Sequence, residues 1–156
     1  MLIYETNSAE ETIELAAQIG AKLKGGEVIA YKGGLGAGKT TFTRGLAVGM
    51  GLKDDVSSPT FAIVNEYRGS GRLSLCHFDM YRITNSAALE TTGFYDYMSE
   101  DTVIAVEWSE NIAEELEGEK NVITITISGS GDRRIITVEA ESGDDIFADI
   151  GDRYLR

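Results

Sequence analysis

The chain has 156 residues, a length that fits one domain with a single core. Its formal net charge is −12, from 14 basic and 26 acidic residues, which argues against a protein that wraps nucleic acid through a broad basic face. The single cysteine excludes an intrachain disulfide and favours a reducing compartment, and no stretch approaches the roughly 18 apolar residues of a membrane span. Composition therefore predicts one domain over residues 1–156 of a cytoplasmic protein with no membrane contact.

Helices and strands are predicted to alternate in the first part of the chain. Ser8 and Glu11 have the spacing of a capping box, which predicts the start of a helix, and Gly25-Gly26 is expected to end it. The apolar run 28–31 predicts a buried strand, and a second helix is expected from Lys39 to Met50.

Two β-hairpins are predicted in the remainder. One joins strands at 61–67 and 73–78 through Gly69-Ser70-Gly71, and the other joins strands at 122–127 and 135–138. Between the hairpins, the pattern predicts a short helix at 86–91, a continuous apolar strand at 103–106 and an acidic helix at 109–116. The predicted fold class is therefore α/β, with a mixed sheet.

A phosphate-binding loop is the most specific motif in the sequence. The segment Gly33-Gly34-Leu35-Gly36-Ala37-Gly38-Lys39-Thr40 matches the pattern Gly, any four residues, Gly-Lys-Thr, between a predicted strand and a predicted helix. The glycines let backbone amides point at phosphate oxygens, Lys39 places a charge on the terminal phosphates, and Thr40 offers a hydroxyl to magnesium. The motif predicts a site for a nucleoside triphosphate and Mg²⁺. No Asn-Lys-x-Asp sequence occurs to read guanine, which favours ATP.

Two acids follow predicted strands, where a protein with such a loop needs a carboxylate for magnesium or its waters. Asp79 follows the strand at 73–78, and Glu107 follows the strand at 103–106. Glu107 ends the more apolar strand, which favours it as the metal carboxylate, and Asp79 is then a second metal group or the residue that positions water. A solvated strand end is the alternative for either acid, and the sequence leaves open which of them touches the metal.

Three further residues have two interpretations each. Thr60, in Ser57-Ser58-Pro59-Thr60, stands where related enzymes sense the γ-phosphate, and a plain turn is the alternative. His77 is the only histidine, and a strand residue with one hydrogen bond is favoured over a catalyst. Trp108 follows Glu107 and is expected either near the nucleotide or in a core or rim position.

Four segments in this order resemble one family. They are Leu35-Gly36-Ala37-Gly38-Lys39-Thr40-Thr41-Phe42, Ser58-Pro59-Thr60-Phe61, His77-Phe78-Asp79-Met80-Tyr81-Arg82 and Val106-Glu107-Trp108. Over nearly its whole length the chain resembles the TsaE proteins, small bacterial ATPases of tRNA threonylcarbamoyladenosine synthesis. The resemblance implies a three-layer P-loop NTPase-like domain with a mixed, mostly parallel sheet and the two hairpins.

The resemblance also implies a function and partners. In that family, ATP binding drives docking onto the TsaB–TsaD pair, TsaD transfers the threonylcarbamoyl group to the tRNA, and ATP hydrolysis resets the complex. We therefore expect an ATPase that is weak alone, depends on TsaB and TsaD, and meets tRNA only through the complex. A small-molecule P-loop kinase and a nucleotide-dependent binding module with negligible catalysis are the alternatives.

Site residues follow from the resemblance by position. It implies that Thr40, Glu107 and Asp79 bind magnesium. It also implies catalytic roles for Asp79, Lys39 and Thr60. Contacts with the nucleotide are implied for Thr12, Gly34, Leu35, Gly36, Ala37, Gly38, Lys39, Thr40, Thr41 and Trp108, and for Arg133 or Arg134, where the alignment is loose. Gly34 departs from the family, because many members carry Asp or Glu there, so slower intrinsic hydrolysis is expected.

Overall fold

One mixed β-sheet runs through the computed structural model, which describes residues 1–34, 38–53, 56–57 and 64–156 without the side chains of Val56, Ser57 and Asp144. Within the described residues the sheet has eight strands in the order β1-β8-β7-β2-β6-β5-β4-β3. The strands are β1 (Leu2–Thr6), β2 (Val28–Lys32), β3 (Val56–Ser57), β4 (Val64–Arg68), β5 (Ser74–Asp79), β6 (Thr102–Glu107), β7 (Val122–Ser128) and β8 (Arg134–Ala140). The helices are α1 (Ala9–Gly20), α2 (Lys39–Gly49), α3 (Ser86–Thr91), α4 (Phe94–Tyr97) and α5 (Ala113–Leu116), with 3₁₀ helices at Ser109–Ile112 and Asp144–Phe147.

Parallel pairing occupies the centre of the sheet. Strand β2 pairs in parallel with β7 and β6, and β6 pairs in parallel with β5. The predicted hairpins β4–β5 and β7–β8 are present and antiparallel, and β3 and β1 add antiparallel strands outside them. The sheet is mixed, as expected, but only three of these seven pairings are parallel, because each hairpin contributes antiparallel pairs on its own side of the centre.

Helices cover both faces of the sheet and give three layers. Side chains alternate along a strand, so Ile29 and Tyr31 of β2 belong to the apolar cluster under α1 and α2. Val28 and Ala30 belong to the second cluster, which holds apolar residues of α3, α4 and α5. The three-layer α/β architecture is therefore confirmed. No helix among the described residues is long and apolar enough to cross a membrane.

The first helix begins as the capping box predicts. The Ser8 hydroxyl accepts a hydrogen bond from the Glu11 amide at 3.1 Å, and a Glu11 carboxylate oxygen accepts one from the Asn7 amide at 3.0 Å. Helix α1 then packs on α2 nearly backbone to backbone, since a Cβ added at Gly49 would lie 1.9 Å from the Ala17 carbonyl oxygen. Small residues at this crossing bring the start of α1 beside the phosphate loop.

Some local predictions differ from the structure. Strand β1 was not predicted, although it alternates buried Tyr4 and Thr6 with less buried Ile3 and Glu5. The helix predicted at 109–116 is a 3₁₀ helix followed by α5, because Ile112, the last residue of the 3₁₀ helix, has a non-helical backbone with φ −124° and ψ 26°. Residues 61–63 of the predicted strand 61–67 lie outside the described residues.

Candidate functional site

The phosphate loop lies between a strand and a helix, as the motif requires. Strand β2 ends at Lys32 and α2 begins at Lys39. Gly38, the residue before α2, has φ 99°, a left-handed conformation that side chains with a Cβ rarely adopt. Lys39 is buried to 7 % exposure and Thr40 is exposed at the first turn of α2. A helix start with free amides and a cationic side chain is suited to an anion.

The two predicted acids are neighbours across the sheet. In the parallel ladder between β5 and β6, Asp79 is the direct partner of Glu107. Residues that face each other in a ladder project from the same side of the sheet, here the side on which α2 packs. Asp79 is exposed, and its Oδ1 accepts a hydrogen bond from the Tyr81 amide at 3.0 Å. The register therefore brings both carboxylates to the end of the sheet where β2 leads into the phosphate loop.

Glu107 is held in its charged form. The close contact with the His77 imidazole lowers its pKa, partial burial opposes this, and the positive charge of Lys39 adds to the lowering. The shift means that the carboxylate stays ionised well below neutral pH. Such an anion beside a buried lysine can balance that lysine's charge when no phosphate is bound.

The donor atoms at this end of the sheet are chemically suited to magnesium. Among the described residues no three His, Cys, Asp or Glu side chains come together as a self-contained metal site. Magnesium is commonly held by one or two carboxylates together with phosphate oxygens and water, so this finding is compatible with it. The oxygens of Asp79, Glu107 and Thr40 are the hard donors that such an ion prefers, and they would hold it only with the help of a nucleotide.

A small cavity adjoins the other side of the loop. It has a volume of about 70 Å³, and its lining residues are Ser8, Ala9, Thr12, Gly38, Thr41, Asp132 and Arg134. Thr12 is thus beside the loop as expected, but its buried hydroxyl is 2.7 Å from the hydroxyl of Thr6. The cavity joins the start of α1 to the hairpin turn between β7 and β8.

The two candidate arginines point to different places. The Nε of Arg133 donates to Glu5 on β1 at 2.6 Å, which ties it to the neighbouring strand. The Nε of Arg134 would be 3.4 Å from a Cβ at Gly38, so its side chain lies against the phosphate loop. The sequence did not decide between Arg133 and Arg134, and in the structure it is Arg134 that lies at the loop.

Trp108 lies at the loop as well. Its φ of 60° is the one positive φ of a non-glycine residue in the described part of the chain. The Lys39 ammonium is 5.7 Å from the centre of its ring, and the Tyr81 ring meets it edge-on at a centroid distance of 5.0 Å. Left-handed backbone at a bulky residue costs about 1–3 kcal/mol and is typical of functional sites. The ring therefore forms one wall beside the Lys39 ammonium.

Some predicted residues cannot be located, and others were missed. Leu35, Gly36, Ala37 and Thr60 lie outside the described residues. Sequence reasoning did not find the contact between His77 and Glu107, nor the bond between the Tyr31 hydroxyl and Thr43 Oγ1 at 2.8 Å. The one available signal was the position of His77 two residues before Asp79, because residues two apart in a strand lie on the same face of the sheet.

Comparison with known proteins identifies the family. The family model described as "Threonylcarbamoyl adenosine biosynthesis protein TsaE" matches residues 6–136. The chain belongs to the TsaE family. It is 39 % identical over 153 residues to the tRNA threonylcarbamoyladenosine biosynthesis protein TsaE of Bacillus subtilis, covering 98 % of this chain and 89 % of that protein. The protein of the same name from Treponema pallidum is 34 % identical over 130 residues, covering 83 % of this chain and 95 % of that protein.

A solved structure agrees with the fold. The crystal structure of Bacillus subtilis YdiB matches with a TM-score of 0.69 and 35 % identity, covering 98 % of this chain and 88 % of that chain. The resemblance seen in the four motif segments is therefore confirmed, together with the P-loop NTPase-like α/β fold. The family to which this chain belongs functions in tRNA threonylcarbamoyladenosine biosynthesis.

Proposed function

We propose that this chain binds and hydrolyses ATP with Mg²⁺ and acts on the TsaB–TsaD pair in the cytoplasm to support its turnover. The observation that carries the proposal is the ladder pair Asp79 and Glu107, which lies beside the strand that leads into the phosphate loop. Two carboxylates on one face, next to a helix that begins with Lys39-Thr40, make the combination that phosphoryl chemistry requires.

Each residue has a distinct role in the proposal. Lys39 binds the terminal phosphates. Its ammonium group lies over the Trp108 ring in this structure. Thr40 and Glu107 hold the metal, which when bound neutralises phosphate charge. Asp79 is more exposed than Glu107, so it is the better candidate to orient the attacking water or a metal-bound one. Arg134 supplies a second cation beside the loop.

Hydrolysis is favoured over transfer to a metabolite. A kinase encloses its acceptor to exclude water, whereas Asp79 is exposed. The net charge of −12 is also better suited to action through protein partners than to direct contact with tRNA.

The test is a comparison of ATP turnover and complex formation in four proteins. Phosphate release should be slow for the parent chain alone and should rise when TsaB and TsaD from the same organism are added. Lys39→Ala should abolish tight ATP binding, whereas Asp79→Ala should lose hydrolysis more than binding, and Glu107→Ala should weaken binding only when Mg²⁺ is present. Loss of one preorganised charged group costs on the order of 3 kcal/mol, or roughly a hundredfold in rate. ATP that left the affinity for TsaB–TsaD unchanged would refute the partner mechanism.

A binding module with negligible catalysis is a second candidate, and Gly34 favours it. Gly34 is exposed, and it brings no carboxylate to the loop position where an acid is common in the family. Turnover that stayed negligible in the presence of TsaB and TsaD, with ATP-dependent docking intact, would favour this second function.

A further inference from the structure

His77 is a buried polar side chain with no direct role in the chemistry proposed above. It is 7 % exposed, and its Nε2 lies 2.8 Å from Glu107 Oε2. Within the described residues this nitrogen makes no hydrogen bond of regular geometry, so the contact is short but not well aligned. A buried ring nitrogen without a well-aligned hydrogen bond lowers the stability of the fold. This cost points to a function that involves the group it approaches, Glu107.

The ladder between β5 and β6 accounts for the contact. His77 is the direct partner of Ala105, and Asp79 is the direct partner of Glu107, all on one face of the sheet. Because Ala105 carries only a methyl group, the imidazole can extend diagonally across it and reach the carboxylate at the end of β6. A larger residue at Ala105 would block this path.

The far side of the imidazole is closed by Tyr31. The two rings meet edge-on with a centroid distance of 6.3 Å. The Tyr31 hydroxyl does not compete for the carboxylate, because it is bonded to Thr43 Oγ1 at 2.8 Å, and Thr43 Oγ1 in turn donates to the Lys39 carbonyl at 2.9 Å. The ring of His77 is thus confined between an aromatic wall and the carboxylate of Glu107.

We propose that His77 is a positioning residue, which holds Oε2 of Glu107 so that this carboxylate keeps one orientation for the magnesium that accompanies the nucleotide. Carboxylates that bind metals are themselves commonly hydrogen-bonded, and loss of such a partner lowers metal affinity. Contacts of this kind are often poorly aligned before the ligand binds and improve afterwards. The inference rests on the proposed function, since it requires Glu107 to serve the metal.

The experiment measures the magnesium dependence of nucleotide binding. ADP is titrated by calorimetry into the parent chain and its variants, once in excess Mg²⁺ and once in EDTA. The readout is the ratio of the ADP dissociation constant in EDTA to that in Mg²⁺, which is large when magnesium strengthens binding. His77→Phe keeps a ring of similar size against Tyr31 but removes the nitrogen, and it should lower the ratio about tenfold or more with little change in EDTA. His77→Gln places an amide nitrogen near the position of Nε2 and should restore most of the ratio.

Two controls separate positioning from folding. Cys76→Ala removes a buried side chain from the same strand on the opposite face, so it should lower the melting temperature without changing the ratio. His77→Asn is small enough to fold but too short to reach Glu107, so it should behave as His77→Phe does. Direct titration of Mn²⁺ into the ADP complexes, followed by electron paramagnetic resonance, should show the same order of metal affinities.

The outcomes are distinct. A parent chain that binds ADP equally with and without Mg²⁺ would overturn the magnesium site itself, and this inference with it. If ADP binding by the parent chain depends on Mg²⁺ but His77→Phe and His77→Asn have the same ratio of dissociation constants as the parent, the positioning role alone is overturned. A folded His77→Gln that binds metal as weakly as His77→Phe would also overturn it, because shape rather than the nitrogen would then be responsible.

Discussion

Replacement of Gly49 by Ala tests how closely helices α1 and α2 are packed. An added Cβ would lie 1.9 Å from the carbonyl oxygen of Ala17 and 2.8 Å from its Cα, both far inside van der Waals contact. The helices would have to separate by about an ångström, and overpacking of a tight contact costs typically about 1–3 kcal/mol. Alanine is favoured over glycine inside a helix by about 1 kcal/mol, which opposes this. The obstructing atoms belong to backbone, which cannot rotate away, so we expect the clash to dominate.

The expected result for Gly49→Ala is a net loss of about 1 kcal/mol, or a fall in melting temperature of about 2–4 °C for a chain of this size. Thermal and urea unfolding followed by circular dichroism measure it. Gly118→Ala is the control, because no atom in the described part of the chain lies within 4 Å of an added Cβ and no change beyond about 0.5 kcal/mol is expected. Ala17→Gly should not rescue Gly49→Ala, since the clash is with a carbonyl group. A variant as stable as the parent would refute backbone-to-backbone packing.

Three further predictions concern the loop, the buried thiol and the arginines. No atom of the described residues lies within 4 Å of a Cβ added at Gly34, so Gly34→Asp should fold normally. It should speed ATP hydrolysis at least about tenfold in a phosphate-release assay, and an unchanged rate would contradict the role given to this position. Burial and the nearby carboxylate of Glu66 raise the pKa of Cys76 to about 12, so near pH 8 iodoacetamide should modify it only after unfolding in urea, and comparable labelling of the native chain would count against its buried setting. Arg134→Ala should weaken ATP binding about tenfold by calorimetry. The matched variant Arg133→Ala should change it less than about twofold, and equal effects would remove the distinction between the two arginines.

Much of the fold follows from local patterns. The helix Ser86–Thr91 has the bounds expected from the sequence, and its start is set locally, since the Asn85 side chain accepts a hydrogen bond from the Ala88 amide. The capping box at Ser8 likewise acts within one turn of helix. Strand β1 was missed because its five residues include polar Glu5 and Thr6, and its partner β8 is at the far end of the sequence. A short strand that is stabilised by a partner far away in the sequence has only a weak pattern in its own residues.

The candidate site was predicted in its residue types but not in its arrangement. The motifs placed Asp79 and Glu107 at strand ends, yet their pairing depends on the register between β5 and β6, which no local pattern specifies. The choice between Arg133 and Arg134 depends on a salt bridge to Glu5 in another strand. His77 was interpreted as a strand residue with one bond, and the sequence could not name Glu107 as its partner because that contact crosses between strands.

The central position of β2 has a consequence for how the protein is made. Val28 of β2 pairs with Ile104 on one side and Val122 on the other, and both follow it by a long stretch of chain. When the ribosome has produced the phosphate loop, the strand that carries it still has no neighbour in the sheet, because β6 and β7 have yet to be synthesised. The acids join the loop only when β5 and β6 arrive. The proposed nucleotide site is therefore complete only after β6 has been synthesised and has paired with β2 and β5.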